Sequence, residues 1–182
     1  MNGRERWLGS GLQALAEEGP GGLKIDRLVR RVGLTKGSFF HHFSGAAGYK
    51  TALLQRLEVE ATAALDEAAA SPPATEVHQL LEELTGRIGQ PGSGLWRPEL
   101  EIALRAWSFT DAEVLKTQSR IDQQRLAGLE AIWQRLEPDR EQARIKALLP
   151  YLVAVGASMS SVGIKREELQ QVYELLLPLV PH

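Results

Sequence analysis

Almost nothing in this sequence is written for a β-strand. Clusters of β-branched residues are few, strict apolar–polar alternation is scarce, and long stretches consist of Ala, Leu, Glu, Gln and Arg, which favour helices. What divides the chain is punctuation. Gly19-Pro20-Gly21-Gly22 closes a first helix predicted over about 4–18, where Trp7, Leu8, Gly11, Leu12 and Leu15 recur at helical spacing. A helix from Ile25 to Val32 stops at Gly33, and a third runs from the N-cap Thr35 to about His42. Ser44-Gly45-Ala46-Ala47-Gly48 reads as a linker before a long helix that Ser71-Pro72-Pro73 ends near Ala70. Further helices are predicted over about 75–88, 97–108, 111–136, 139–161 and 166–179. The loop Gln90-Pro91-Gly92-Ser93-Gly94 is expected to be the most flexible. The expected fold is all-α, about nine helices with three small ones in front.

Several function classes drop out early. With no cysteine among the 182 residues, disulfides, thiolate zinc sites and cysteine nucleophiles are excluded. The opening Met1-Asn2-Gly3-Arg4-Glu5-Arg6-Trp7 has charge but no apolar run behind it, so no secretory signal is expected. No stretch reaches about 18 uncharged apolar residues, so no membrane span is expected and the protein is placed in the cytoplasm. The net charge of −2 conceals an asymmetry. Residues 1–56 hold nine basic side chains against four acidic, a net of +5, and the remainder is −7. A basic head on an acidic body suits a head that alone meets a polyanion; chance clustering of solvated charges explains the same numbers.

The most informative stretch is Leu23 to Phe43. Two short helices joined by Val32-Gly33-Leu34 satisfy a helix-turn-helix: Gly33 permits a left-handed backbone and Leu34 fills the corner. Leu28 and Val29 are expected to face the first helix, and Phe39 and Phe43, four apart, to anchor the second short helix on the same core. Thr35, Lys36, Ser38, His41 and His42 are left facing outward.

The run Val32-Gly33-Leu34-Thr35-Lys36-Gly37-Ser38-Phe39-Phe40-His41-His42-Phe43 resembles the recognition segment of the TetR family of bacterial repressors, commonly Ala-Gly-Val-Ser-Lys-Gly-Thr-Leu-Tyr-His-His-Phe. Lys36-Gly37 and His41-His42-Phe43 match outright. The resemblance implies a DNA-binding helix-turn-helix domain over 1–47 and a helical ligand-binding and dimerisation domain over 48–182. It implies that Thr35, Lys36, Gly37 and Ser38 approach the major groove and its phosphates, with His42 on a phosphate and His41 partly structural. Phe40 stands where the family usually has tyrosine, so a phosphate-directed hydroxyl is missing. Lys24 replaces a common capping threonine and can reach a phosphate only through its ammonium. Lys50, near the start of the fourth helix, is expected to take over a further phosphate contact.

The body carries no catalytic constellation: no Gly-rich phosphate loop, no His-Glu-x-x-His and no nucleophile elbow. No enzyme, metal or cofactor is expected. Trp96, Trp107, Phe109 and Trp133 lie on helices that surround an effector cavity in the family resembled. Tyr151 and Met159 are candidates to line it, and Glu99 or Arg105 to orient a small molecule there; plain core packing is the competing reading. Leu169, Val172, Tyr173, Leu176, Leu177 and Val180 share a wide apolar face. Together with the apolar run Ala147 to Val162, this face suggests a two-fold four-helix interface, with Pro150 expected to kink or interrupt its helix. The expected partners are thus a palindromic double-stranded operator, a small-molecule effector and a second copy of the chain, the protein acting as a ligand-released repressor. A helical small-molecule carrier or sensor with weakened operator binding is the alternative that Phe40 and Lys24 leave open.

Overall fold

The computed structural model describes residues 3–72, 75–88, 90 and 95–180. Among them there is no strand. Nine α-helices follow in order: α1 (Gly3–Glu18), α2 (Ile25–Val32), α3 (Lys36–His42), α4 (Gly45–Ala69), α5 (Val77–Ile88), α6 (Pro98–Ser108), α7 (Ala112–Trp133), α8 (Arg140–Met159) and α9 (Arg166–Leu176). Short 3-10 turns follow α1 and α9, over Gly19–Leu23 and Leu177–Leu179. No helix among the described residues is long and apolar enough to cross a membrane. Of the glycine-rich loop, Pro91-Gly92-Ser93-Gly94 lies outside the described residues.

Most helix ends fall where the breakers stand, and local chemistry says why. Asp139 caps α8, accepting from the N–H groups of Glu141 at 2.9 Å and Gln142 at 3.4 Å. The Arg135 guanidinium closes the end of α4, donating to the carbonyls of Ala69 at 3.0 Å and Ser71 at 2.8 Å. α7 stops at Trp133, earlier than predicted, as the chain approaches Pro138, which disfavours helical backbone before it. Of the linker expected at Ser44-Gly45-Ala46-Ala47-Gly48, the part from Gly45 on is instead the first turn of α4. Gly45, at φ +76°, turns the chain sharply out of the extended Phe43, and Ala46 and Ala47 are the strongest helix formers available. Pro150 does not interrupt α8; its own carbonyl accepts the Tyr173 hydroxyl at 2.6 Å.

The chain divides into two compact units. The first gathers the described residues of Met1–Glu60 and Glu99–Arg120, the second those of Ala61–Pro98 and Ile121–His182. α4 and α7 each begin in the first unit and end in the second. In the first unit, Trp7, Leu8, Leu12 and Leu15 of α1, Leu28 of α2, Phe39 of α3 and Tyr49, Leu53 and Leu54 of α4 are all buried. α1 and α4 approach closely at Gly11, where an added Cβ would lie 1.9 Å from the Tyr49 hydroxyl. That hydroxyl donates to the Trp7 carbonyl at 2.8 Å, and burial pushes the phenol's pKa up.

The second unit holds two apolar clusters. One includes Leu129, Ile132 and Trp133 of α7, Ala143 and Ala147 of α8, Leu84 of α5 and Val180. The other is built on Ile88, Trp96 and Leu169, and Leu95 packs against both. The C-terminal apolar face therefore divides: Leu169 and Val180 are buried inside the unit, while Val172, Leu175 and Leu179 are exposed.

Candidate nucleic-acid interface

The sequence from Leu23 to Phe43 builds a helix–turn–helix. Gly33 ends α2 with φ +69°, where any other residue is strained, and its N–H bonds back to the Val29 carbonyl at 3.0 Å. Thr35 then caps α3, its hydroxyl accepting from the Ser38 N–H at 3.2 Å. Arg6 of α1 donates to the Val32 carbonyl at 3.2 Å and so holds the end of α2. The α2 N-terminus has no side-chain cap: Lys24 occupies the cap position and is exposed.

α3 is aimed by its aromatic side. The Phe39 ring is fully buried, 5.3 Å from Trp7, 5.2 Å from Phe43 and 5.2 Å from Tyr49 between centroids. With that side fixed, Lys36, Gly37, Phe40 and His41 are exposed and Ser38 and His42 half-buried. Phe40 is 56% exposed, its edge on Phe39 at 5.5 Å. His41 and His42 stack edge to face at 5.0 Å. Thr35, Lys36, Gly37, Ser38, Phe40, His41 and His42 are thus contiguous on one element, with Lys24 at the start of the helix before it.

The charges around this surface differ in how firmly they are held. Arg27 and Arg31 both reach Glu18, at 2.9 Å and 3.0 Å, and Arg31 also pairs with Glu17. Arg31 holds the Glu18 carboxyl below its ordinary range, with Arg27 adding to the effect. Lys36 meets one carboxylate, Asp26, at 2.6 Å, with both side chains largely in water. Lys50 is different. It lies inside α4, 26% exposed, with its ammonium 2.8 Å from Asp111 and 2.8 Å from Glu113 at the start of α7. It holds both carboxyls below their usual range, and they in turn raise the lysine. A separate pair, Glu58 of α4 with Arg120 of α7 at 2.7 Å, joins the same two helices. Sequence reasoning missed these ties; Lys50 and Asp111 are 61 positions apart, beyond any local pattern.

Residues 8–57 match the family model of bacterial regulatory proteins, tetR family. Over this N-terminal segment the chain is similar to the TetR family. Solved structures share its fold over nearly the whole length. E. coli NemR in its reduced form superposes with a TM-score of 0.77 at 20% identity, covering 99% of this chain and 98% of that one. A transcriptional regulator from Rhodococcus sp. Rha1 gives 0.73 at 18% identity, covering 97% and 94%. One from Aquifex aeolicus VF5 gives 0.72 at 17% identity, covering 98% and 99%. At these identities the likeness is one of fold. No curated protein matches the sequence.

The candidate effector residues are divided between the two units. Trp133 and Tyr151 share one apolar cluster, whereas Trp96 belongs to the other, its indole N–H donating to Ser158 at 2.8 Å and the Arg166 guanidinium over its ring. Trp107 is half-buried on α6, with its carbonyl accepting from Thr110. Glu99 is exposed, and Arg105 pairs with Glu101 at 2.6 Å. Phe109 is 89% exposed just beyond the end of α6, and Met159 is 52% exposed as the last residue of α8.

Proposed function

We propose that this chain is a homodimeric DNA-binding repressor of the cytoplasm, released from a near-palindromic operator by a small-molecule effector. The observation that carries the DNA-binding half is α3: a capped helix fixed by Phe39 that presents Lys36, Gly37, Phe40 and His41 to solvent. Residues 1–47 would read DNA, and 48–182 would bind ligand and dimerise. Lys24, Thr35, Lys36, Gly37, Ser38, Phe40, His41 and His42 form the contact face, with Lys50 a phosphate contact when its ammonium is released from α7. Two copies would set their recognition helices in successive major grooves, half-sites about 34 Å apart.

The test is direct. Saturable, sequence-selective retention of a genomic fragment in gel-shift competition supports the reading; binding that any duplex competes away equally opposes it. Lys36→Ala should flatten the plot of log affinity against log salt by about one unit, since a lysine on a phosphate releases about one counterion. Its single exposed pair with Asp26 is too weakly held to withhold it from DNA. An unchanged slope takes Lys36 off the contact face.

Support for the effector comes from Trp133. Its ring is buried in the larger apolar cluster of the second unit, yet its indole N–H meets no acceptor among the described residues. A buried donor left unpaired costs about 1–3 kcal/mol, so a ligand bringing an acceptor would gain at this position. An effector that raises the melting temperature of the wild type should therefore raise that of Trp133→Phe markedly less. Equal shifts in the two proteins remove Trp133 from the site.

A further inference from the structure

The clasp on Lys50 holds one ammonium between two carboxylates that are themselves anchored. Each carboxylate uses one oxygen to be held in place and the other for the lysine. Asp111 accepts the backbone N–H groups of Glu113 at 3.1 Å and Val114 at 3.3 Å on Oδ1, leaving Oδ2 for the Lys50 ammonium at 2.8 Å. Glu113 accepts the Thr51 hydroxyl at 2.8 Å on Oε1, leaving Oε2 for the same ammonium at 2.8 Å. Two anchored anionic oxygens from two groups thus converge on one ammonium, much as the two free oxygens of a backbone phosphate present themselves to a lysine. Lys36 has one partner in open solvent; Lys50 has two and is three-quarters covered.

We propose that Asp111 and Glu113 form an internal competitor for DNA at Lys50, an autoinhibitory contact that lowers operator and non-specific affinity alike by occupying a phosphate-binding side chain. The proposal rests on the DNA-binding reading above. A protein at its operator must either forgo Lys50 or break a preformed two-carboxylate contact to use it. Any condition that separates the start of α7 from Lys50 tightens binding without altering base readout, because a phosphate contact carries no sequence information.

The experiment titrates a fluorescein-labelled duplex of random sequence, about 30 base pairs or three turns, with full-length protein over a series of salt concentrations. Asp111→Asn with Glu113→Gln removes both charges while retaining shape: asparagine remains a good helix cap, and glutamine still accepts from Thr51. The Glu58–Arg120 pair between the same helices is untouched. This variant should bind about fivefold tighter near 0.1 M salt, with a slope steeper by about 0.9, the yield of one phosphate contact. Adding Lys50→Ala should abolish both gains, whereas Lys50→Ala in the wild type should change either far less, a non-additive cycle. If the gain survives Lys50→Ala, it reflects charge removal in general and the proposal is wrong; an unchanged affinity in the double variant also overturns it. Glu113→Gln alone, which leaves the α7 cap intact, should move affinity and slope in the same direction by less. Failure of the underlying reading looks different: no variant, wild type included, binds the duplex saturably.

Discussion

Phe39→Ala is expected to destabilise the first unit by about 3–5 kcal/mol, the range for truncating a buried aromatic ring. The ring is fully covered and lies within about 5 Å of three other rings, two of them on other helices. Its loss opens a void bounded by α1, α3 and the start of α4, and short α3 has little else to hold it: seven residues cannot sustain an isolated helix. Since a whole domain is stable by only about 5–15 kcal/mol, duplex binding should fall away together with fold. Urea denaturation followed by tryptophan fluorescence measures this, because Trp7 stands edge-on to the missing ring. The neighbouring Phe40→Ala, truncating a side chain that is mostly in water, should shift the midpoint by less than about a third as much. A Phe39→Ala variant as stable as Phe40→Ala would mean that α3 is oriented by something other than this aromatic cluster.

That contrast between adjacent phenylalanines shows what was legible in the sequence. The four-residue step from Phe39 to Phe43 and the glycine at 33 define which side of α3 is inside, because both are local constraints on a short helix. Helix ends at Gly19 and Gly33 were legible for the same reason: proline and glycine act on the backbone where they stand. Ser44 to Gly48 was misread because two glycines and a serine suggest a loop, while Ala46 and Ala47 and the tight turn at Gly45 continue into helix. The ties of Lys50 to Asp111 and of Tyr49 to Trp7 join positions 61 and 42 residues apart, and no periodicity reports such pairs. The aromatics show the opposite failing. Tryptophan content marks a well-packed body, but only burial separates Trp133 and Trp96 from the exposed Phe109.

The other large effect is expected from Leu149→Glu combined with Leu175→Glu, which should turn the proposed dimer into a monomer. On α8 the exposed apolar residues are Ile145, Leu149, Leu152 and Met159; on α9 and just after it they are Val172, Leu175 and Leu179. Their steps of four, three and seven, and of three and four, follow the 3.5-residue repeat of a helix seam. Gly156, exposed between Leu152 and Met159, fills the remaining place in that repeat with a residue that permits close approach. Two helices each carrying such a seam are half of a four-helix interface, and a second copy related by two-fold symmetry completes it. Leu149 and Leu175 are 46% and 76% exposed, so glutamate at either leaves the packing within the unit intact, unlike a change at buried Leu169. Four unpaired carboxylates across the two-fold would be desolvated on association and oppose it strongly. Light scattering after gel filtration should then give the mass of a single 20.1 kDa chain, with an unaltered helical circular-dichroism spectrum. Operator affinity should fall by about 100-fold or more, because the second half-site is no longer delivered by the first. If the variant remains dimeric at micromolar concentration, the seam faces something other than its own copy, and the two-fold operator that the proposed function requires would have to be organised through another surface.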